Sequence, residues 1–152
     1  MKHNNIIATN RQALRDYFIL ETFEAGIELK GSEIKSIRKR RANLKESFAR
    51  IGKGEVFLYN LHISPYEFAR RDEIEPKRAR KLLLKKKQIN YLFGKISGKG
   101  LTLIPLKLYL KRGLAKVEIA LAKGKRFYDK RETLKRKVAQ REINRALRKK
   151  RH

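Results

Sequence analysis

Residues 101–122 read LTLIPLKLYLKRGLAKVEIALA, and their spacing decides the fold. Leu101 to Lys111 sets Ile104, Leu106, Leu108 and Leu110 at period two, and 115–122 sets Ala115, Val117, Ile119 and Leu121 at the same period. Side chains at that period line one face of a strand. Arg112 and Gly113 lie between the two runs, and the glycine accepts the positive φ of a tight turn. The stretch is predicted to be a β-hairpin.

Upstream, KRARKLLLKKKQINYLFGKI (77–96) places Leu84, Gln88, Tyr91 and Phe93 on one stripe with Leu83, Ile89 and Leu92 beside it. This predicts a helix from about Lys85 to Phe93, stopped by Gly94. Ser47 to Ile51 and Glu55 to Ile63 read as a second hairpin across Gly52-Lys53-Gly54, with Phe57, Tyr59, Leu61 and Ile63 on one face and Pro65 as its end. Tyr17 to Leu29 reads as a strand bent or bulged at Gly26. In SEIKSIRKRR (32–41), Ser32 is the expected cap of a short helix. Ile34 and Ile37 share its inner face, and Lys35, Arg38, Lys39, Arg40 and Arg41 point largely outward. Glu67 to Pro76 has no period and reads as a loop. Closure hides strand edges and a helix can plug one end, so this order predicts a mainly β fold: an OB-like closed Greek-key barrel with two or three helices. The expected division is a barrel domain over 1–128 and a basic tail over 129–152 that is disordered or helical on binding.

The formal net charge is +26 over 152 residues. The last 30 residues hold 14 of the 41 Lys/Arg and three of the 15 Asp/Glu, so both the body and the tail are basic. Such a chain gains by neutralising phosphates and releasing their counterions, and nucleic acid is the expected partner. There is no cysteine, which excludes disulfides and thiolate metal sites and fits a reducing compartment, the cytoplasm. No apolar run approaches the length of a membrane helix, and the start MKHNNIIATN lacks the apolar block of a secretion signal. A monomer with no membrane partner is expected.

Enzyme chemistry has little support. His3, His62 and His152 have no metal-ligand spacing, and His62 reads as a structural strand residue. GKISGKG (94–100) lacks the spacing of a phosphate loop. Asp72, Glu73 and Glu75 lie among Arg70, Arg71, Lys77 and Arg78 and read as a solvated loop. Glu33 and Lys35 as an acid and base pair of a nuclease lack a second carboxylate for a metal. No catalytic residue, metal or cofactor is expected.

Two local patterns stand out. Arg78, Arg80 and Lys81 precede three leucines, and Lys123-Gly124-Lys125 ends a strand just before Phe127 and Tyr128. A glycine admits close backbone approach to phosphate, lysines neutralise it, and aromatic rings stack unpaired bases. Solvated lysines at a strand end with two core aromatics is the equally weighted alternative. A small basic barrel with a basic extension also describes a structural ribosomal protein.

FEAGIELKGSEIKSIR (23–38), LHISPY (61–66), RKLLL (80–84), GLTLIPLKLYLK (100–111), KVEIALAKGK (116–125) and YDKR (128–131) together resemble the SmpB family of SsrA-binding proteins. The resemblance runs in order from about Asn10 to the C terminus. It implies binding of the tRNA-like domain of transfer-messenger RNA (tmRNA) and delivery of that RNA to stalled ribosomes for trans-translation. The small-subunit decoding region and mRNA channel are implied partners, with elongation factor Tu and alanyl-tRNA synthetase reached through the RNA.

By that family pattern Asn10, Glu24, Leu83, Lys123 and Lys125 resemble RNA contacts, joined by Arg78, Arg80, Lys81 and Gly124. Glu24 either accepts from a base amino group or pairs with a nearby cation, and Leu83 either packs on a splayed base or fills core. Tyr128, Asp129, Lys130 and Arg131 fall where the family meets the decoding centre. Leu134, Val138, Ala139, Ile143, Ala146 and Leu147 form a thin apolar stripe beside Lys135, Arg136, Arg141 and Arg145, too small to order a lone helix in water, and the family implies that it folds in the vacant mRNA channel. The chain departs from the pattern at Glu73-Ile74-Glu75-Pro76 and at Lys85, where the family commonly has Asn-His and His.

Overall fold

In the computed structural model, which describes residues 5–70, 75–125 and 137–147, the hairpin read first from the sequence is the wall on which the rest assembles. Strands β8 (Leu101–Lys111) and β9 (Leu114–Gly124) pair antiparallel along their whole length. Arg112 and Gly113 turn the chain at φ 53° and 79°, the left-handed pair that matches strand twist. Strand β2 (Tyr17–Ile27) pairs with β9 from Tyr17 opposite Gly124 to Gly26 opposite Lys116. From β2 the sheet continues through β7 (Arg80–Leu83), β5 (Glu55–Tyr59) and β4 (Phe48–Gly52), and β4 returns to β8 where Ala49 faces Leu103. The ring is closed, and every described pairing is antiparallel. Strand β1 (Asn5–Thr9) lies along the far half of β8, while β3 (Ala42–Asn43) and β6 (His62–Ile63) form a separate short ladder.

The mainly β barrel is thus as expected, with more strands than the sequence showed. Its interior is filled by Ala25, Ile27, Val56, Leu58, Leu82, Leu103, Leu108, Val117, Ile119 and Leu121. Helix α3 (Lys86–Ile96) caps it with Ile89 and Leu92, each contributing roughly 1.5–3 kcal/mol by burial. Helix α1 (Arg11–Asp16) packs Ala13 outside the ring on Ile104, Leu106, Ala120 and Ala122.

Several local expectations change. In β8 a bulge between Pro105 and Lys107 shifts the register by one residue, which reverses side-chain faces. Leu108 and Leu110 therefore face the main core, whereas Ile104 and Leu106 lie under α1. Pro105 has no N–H to give the ladder and sits at the bulge that tolerates it. In β5 the buried residues are Val56 and Leu58, so Phe57 and Tyr59 face outward, and Asn60 at φ 63° breaks the strand before Leu61 and Ile63 turn inward. The β2 irregularity falls between Ile19 and Glu21, not at Gly26. Gly94 lies inside α3, which runs on to Ile96. Helix α2 (Gly31–Arg38) starts from Lys30 rather than Ser32 and buries Glu33, Ser36 and Ile37.

Glu33 explains that last shift. It accepts from the Lys30 backbone N–H at 2.8 Å and binds two guanidinium groups. Arg78 meets it through Nε at 3.0 Å and a terminal nitrogen at 2.5 Å, and Arg80 through Nε at 2.8 Å and a terminal nitrogen at 2.6 Å. Arg80 is fully buried and also donates to the carbonyls of Leu61 (2.6 Å), Arg78 (3.1 Å) and Pro76 (3.0 Å). One carboxylate, through Arg80, thereby ties α2 and β7 to the backbone at Leu61 and Pro76. Burial pushes the Glu33 carboxyl up, but hydrogen bonds from Arg78, Lys30 and Arg80 and the charge of Arg80 outweigh it and hold it below its ordinary 4.5.

Glu33→Gln leaves Arg80 charged and buried without its counter-ion, and urea unfolding at pH 7 should show a loss of about 3–5 kcal/mol. A depressed carboxyl stabilises above its unfolded value and loses that contribution as pH falls through its folded value. The gap between wild type and variant should therefore narrow below pH 4.5.

Candidate nucleic-acid interface

The outer face of the β8–β9–β2–β7 wall brings together three of the residues singled out in the sequence. The β8 bulge leaves the carbonyls of Pro105 and Leu106 turned toward Asn10, which takes both. Its side-chain amide donates to Pro105 at 3.0 Å and its backbone N–H to Leu106 at 2.8 Å, while its side-chain oxygen accepts from the Ala13 N–H at 3.1 Å and caps α1. Asn10 is 5% exposed, so it fixes where α1 sits on this face.

Beyond α1 the same face carries Glu24, directly opposite Glu118 on β9. Two carboxylates across a ladder repel. Glu24 is steadied by a hydrogen bond from the Tyr109 hydroxyl and by Lys111 Nζ at 3.3 Å, and these, with the charge of Lys116, hold its carboxyl below the ordinary range against the cost of burial. Burial, together with the same contact, pushes the Tyr109 hydroxyl well above its ordinary value. The cation pairing anticipated for Glu24 is present, and the carboxylate still lies at an open hollow of about 300 Å³ with Thr22, Lys107 and Glu118. It remains ionised and accepting at neutral pH.

Leu83 stands on this face two residues along, 48% exposed, so it does not fill the core. It is opposite Gly26, and a Cβ built on Gly26 would come within 3.2 Å of the Leu83 Cβ. Gly26 was read as a bend; its signal is close approach, which seats Leu83 over β2. Lys81, on the same side of β7, pairs with Glu55 at 3.2 Å. Arg78 and Arg80 are drawn away by Glu33, and Arg80 has no surface with which to meet RNA. The same pairing occupies the carboxylate of the nuclease reading. Among the described residues no group of three or more His, Asp or Glu could hold a metal ion.

Lys123, Gly124 and Lys125 are half-buried at the end of β9, where Lys123 pairs with Phe18 and Gly124 with Tyr17. The Lys125 ammonium lies 5.3 Å from the centroid of the Phe18 ring. Among the described residues a Cβ on Gly124 would meet only the Tyr17 ring, at 3.9 Å. Phe18, 40% exposed, and Leu20, 51% exposed, continue this end of the barrel; the sequence offered no signal for them beyond strand alternation.

Tyr128, Asp129, Lys130, Arg131, Leu134, Lys135 and Arg136 lie outside the described residues, as do Glu73 and Ile74. Residues 137–147 are helical and exposed throughout. Lys137, Arg141 and Arg145 recur at four-residue steps on one side, and Val138 and Ile143 remain 52% and 53% exposed. Lys85 precedes α3, its backbone N–H donating to Gln88 at 3.1 Å.

A family model described as SmpB protein matches residues 7–149, which takes in the barrel and the helical segment alike. The chain belongs to the SmpB family. It is 62% identical over 143 residues to the SsrA-binding protein of Carboxydothermus hydrogenoformans, covering 94% of this chain and 96% of that one. To the SsrA-binding protein of Geobacillus thermodenitrificans it is 61% identical over 143 residues, covering 94% and 92%. A solved structure described as "tmRNA-SmpB: a journey to the center of the bacterial ribosome" is 52% identical, with a TM-score of 0.64 over 77% of this chain and 82% of that one. The SmpB resemblance first read from six short motifs therefore extends over almost the whole chain.

Asn10→Ala removes the α1 cap and leaves the Pro105 carbonyl without its donor, and should cost about 2–4 kcal/mol in urea unfolding. Asn10→Ser keeps the cap but not the reach to Pro105, and should lose clearly less.

Proposed function

We propose that this chain binds the tRNA-like domain of tmRNA on the barrel and delivers that RNA to stalled ribosomes for trans-translation. The observation that carries the reading is the SmpB family match over 7–149, joined to relatives named SsrA-binding proteins and a structural neighbour described in its ribosomal setting. The net charge of +26 supplies the attraction to phosphate, and it is blind to sequence. Selectivity then falls to Glu24, an acceptor suited to a base amino group, and to Leu83, an exposed apolar contact for a splayed base. Lys123 and Lys125 grip backbone at the end of β9, and Lys81 adds charge on the outer face. Asn10 acts by placing α1, and Arg78 and Arg80 act by holding α2 and β7 in shape.

Residues 1–128 form the RNA-binding body and 129–152 the tail in this reading. Tyr128, Asp129, Lys130 and Arg131 meet the decoding region of the small subunit, and the segment around Val138, Arg141, Ile143 and Arg145 enters the empty mRNA channel. The basic side of that segment meets phosphate, and the exposed apolar side chains gain cover only when docked. Elongation factor Tu and alanyl-tRNA synthetase are met through the RNA, the work is cytoplasmic, and the chain catalyses no step itself.

Glu24→Ala tests the selective contact. It makes the protein more positive, so a charge-driven binder would hold all RNA more tightly. Loss of a base contact should instead weaken binding to the tRNA-like domain by ~1–3 kcal/mol in gel-shift titrations without weakening binding to random RNA. Val138→Gly with Ile143→Gly tests the tail: about 1 kcal/mol of helix penalty per site should abolish peptide tagging on stalled ribosomes and leave RNA affinity unchanged.

A further inference from the structure

At the end of the barrel where β2 leads into α2, the chain following β6 sets two aromatic rings beside a row of lysines. Tyr66 and Phe68 meet edge to face, with centroids 5.5 Å apart and planes at 64°. Lys35 on α2 and Lys39 just past its last turn bring their ammonium groups to 5.2 Å and 5.4 Å from the Tyr66 ring centroid. Phe68 is 77% exposed, more than any other large apolar side chain among the described residues. A hollow of about 560 Å³ opens between this pair and the first turn of α2, with Lys30 and Lys35 on its walls and no acidic residue among its described lining.

These features fit one kind of occupant. A phenylalanine left in water contributes little to the fold, whereas a flat apolar ring beside ammonium groups matches an unpaired base with its flanking phosphates. The two lysines already pack on Tyr66, which orients them and leaves the Phe68 ring as the open surface. This end is also distant from Lys123 and Lys125. Those residues lie where β2 begins, and the 11 residues of β2, at about 3.3 Å each, separate them from α2 by roughly 30 Å along the barrel.

We propose that this hollow is a second RNA contact, in which Phe68 stacks one unpaired base while Lys30 and Lys35 take the adjoining phosphates. It rests on the reading of the chain as an RNA-binding protein but shares no residue with the contacts assigned above. A body holding structured RNA at one end would thereby hold a single-stranded segment, of the same RNA or another, at the other.

The test uses the full chain and an octauridylate carrying 2-aminopurine at its centre, whose fluorescence is quenched on stacking. The wild type should quench it. Phe68→Ala should abolish the quench and weaken binding roughly fivefold or more, while Phe68→Tyr retains both. Lys35→Gln should lower the slope of log affinity against log salt by about 0.7. Phe68 is too exposed for its loss to unfold the protein, and an unchanged urea midpoint checks this. Lys123→Gln with Lys125→Gln should lower affinity for the tRNA-like domain and leave the quench intact. An undiminished quench in Phe68→Ala would overturn the second contact and leave the proposed function standing, whereas failure of the lysine pair to affect the tRNA-like domain would count against that function. Loss of binding to a glutamate-rich peptide but not to the oligonucleotide in Phe68→Ala would give the hollow to an acidic protein and overturn the proposal.

Discussion

A single carboxylate holds the shape of this barrel in place. Glu33 neutralises Arg80 where no water reaches it, and the remaining Arg80 donors are taken by the carbonyls of Leu61, Arg78 and Pro76. A buried guanidinium is costly unless its charge and its hydrogen bonds are both met. Here they are, and meeting them forces α2, β7 and the backbone at Leu61 and Pro76 into one arrangement. The outer-face position of Leu83 and the placement of Lys35 beside Tyr66 both follow from that arrangement. In a chain so basic, the partition of cations is itself informative. Arg78 and Arg80 are consumed within the fold, while Lys81, Lys111 and Lys125 remain at the surface.

The second constraint is the bulge in β8. One extra residue reverses the faces of the strand, so one strand serves two cores, the barrel interior through Leu103 and Leu108 and the α1 contact through Ile104 and Leu106. Asn10 accepts the consequence by taking the two carbonyls beside the bulge. This is why α1 lies next to the face that carries Glu24.

The hairpin of residues 101–122 was legible because both strands and the turn obey strong local rules, and the β9 face was read correctly down to Ala115, Val117, Ile119 and Leu121. What escaped depends on partners far away in sequence. A bulge is invisible to period counting, so Ile104 and Leu106 were assigned to the wrong face. Strand β7 is only four residues long and is made a strand by β2 and β5 on either side. Val56 and Leu58 lost to Phe57 and Tyr59 because aromatic residues look like core, yet Phe48 and Tyr59 stack on the outside with Arg50 over Phe48. Among the candidate site residues, Glu24 and Leu83, named through family resemblance, stand open on the outer face. Arg80 looked like a phosphate ligand because its burial is set by Glu33, 47 residues earlier. Phe68 carried no motif at all.

In the proposed function structured RNA binds the barrel and the tail is left free for the ribosome. Amide hydrogen exchange of the full chain, alone and saturated with the tRNA-like domain of tmRNA, tests that division most directly. Protection should rise along β2 around Glu24, at Leu83 and at the Lys123–Lys125 end of β9, while residues 137–147 exchange as they do in the free protein. Protection confined to 137–147, with the barrel unchanged, would contradict it.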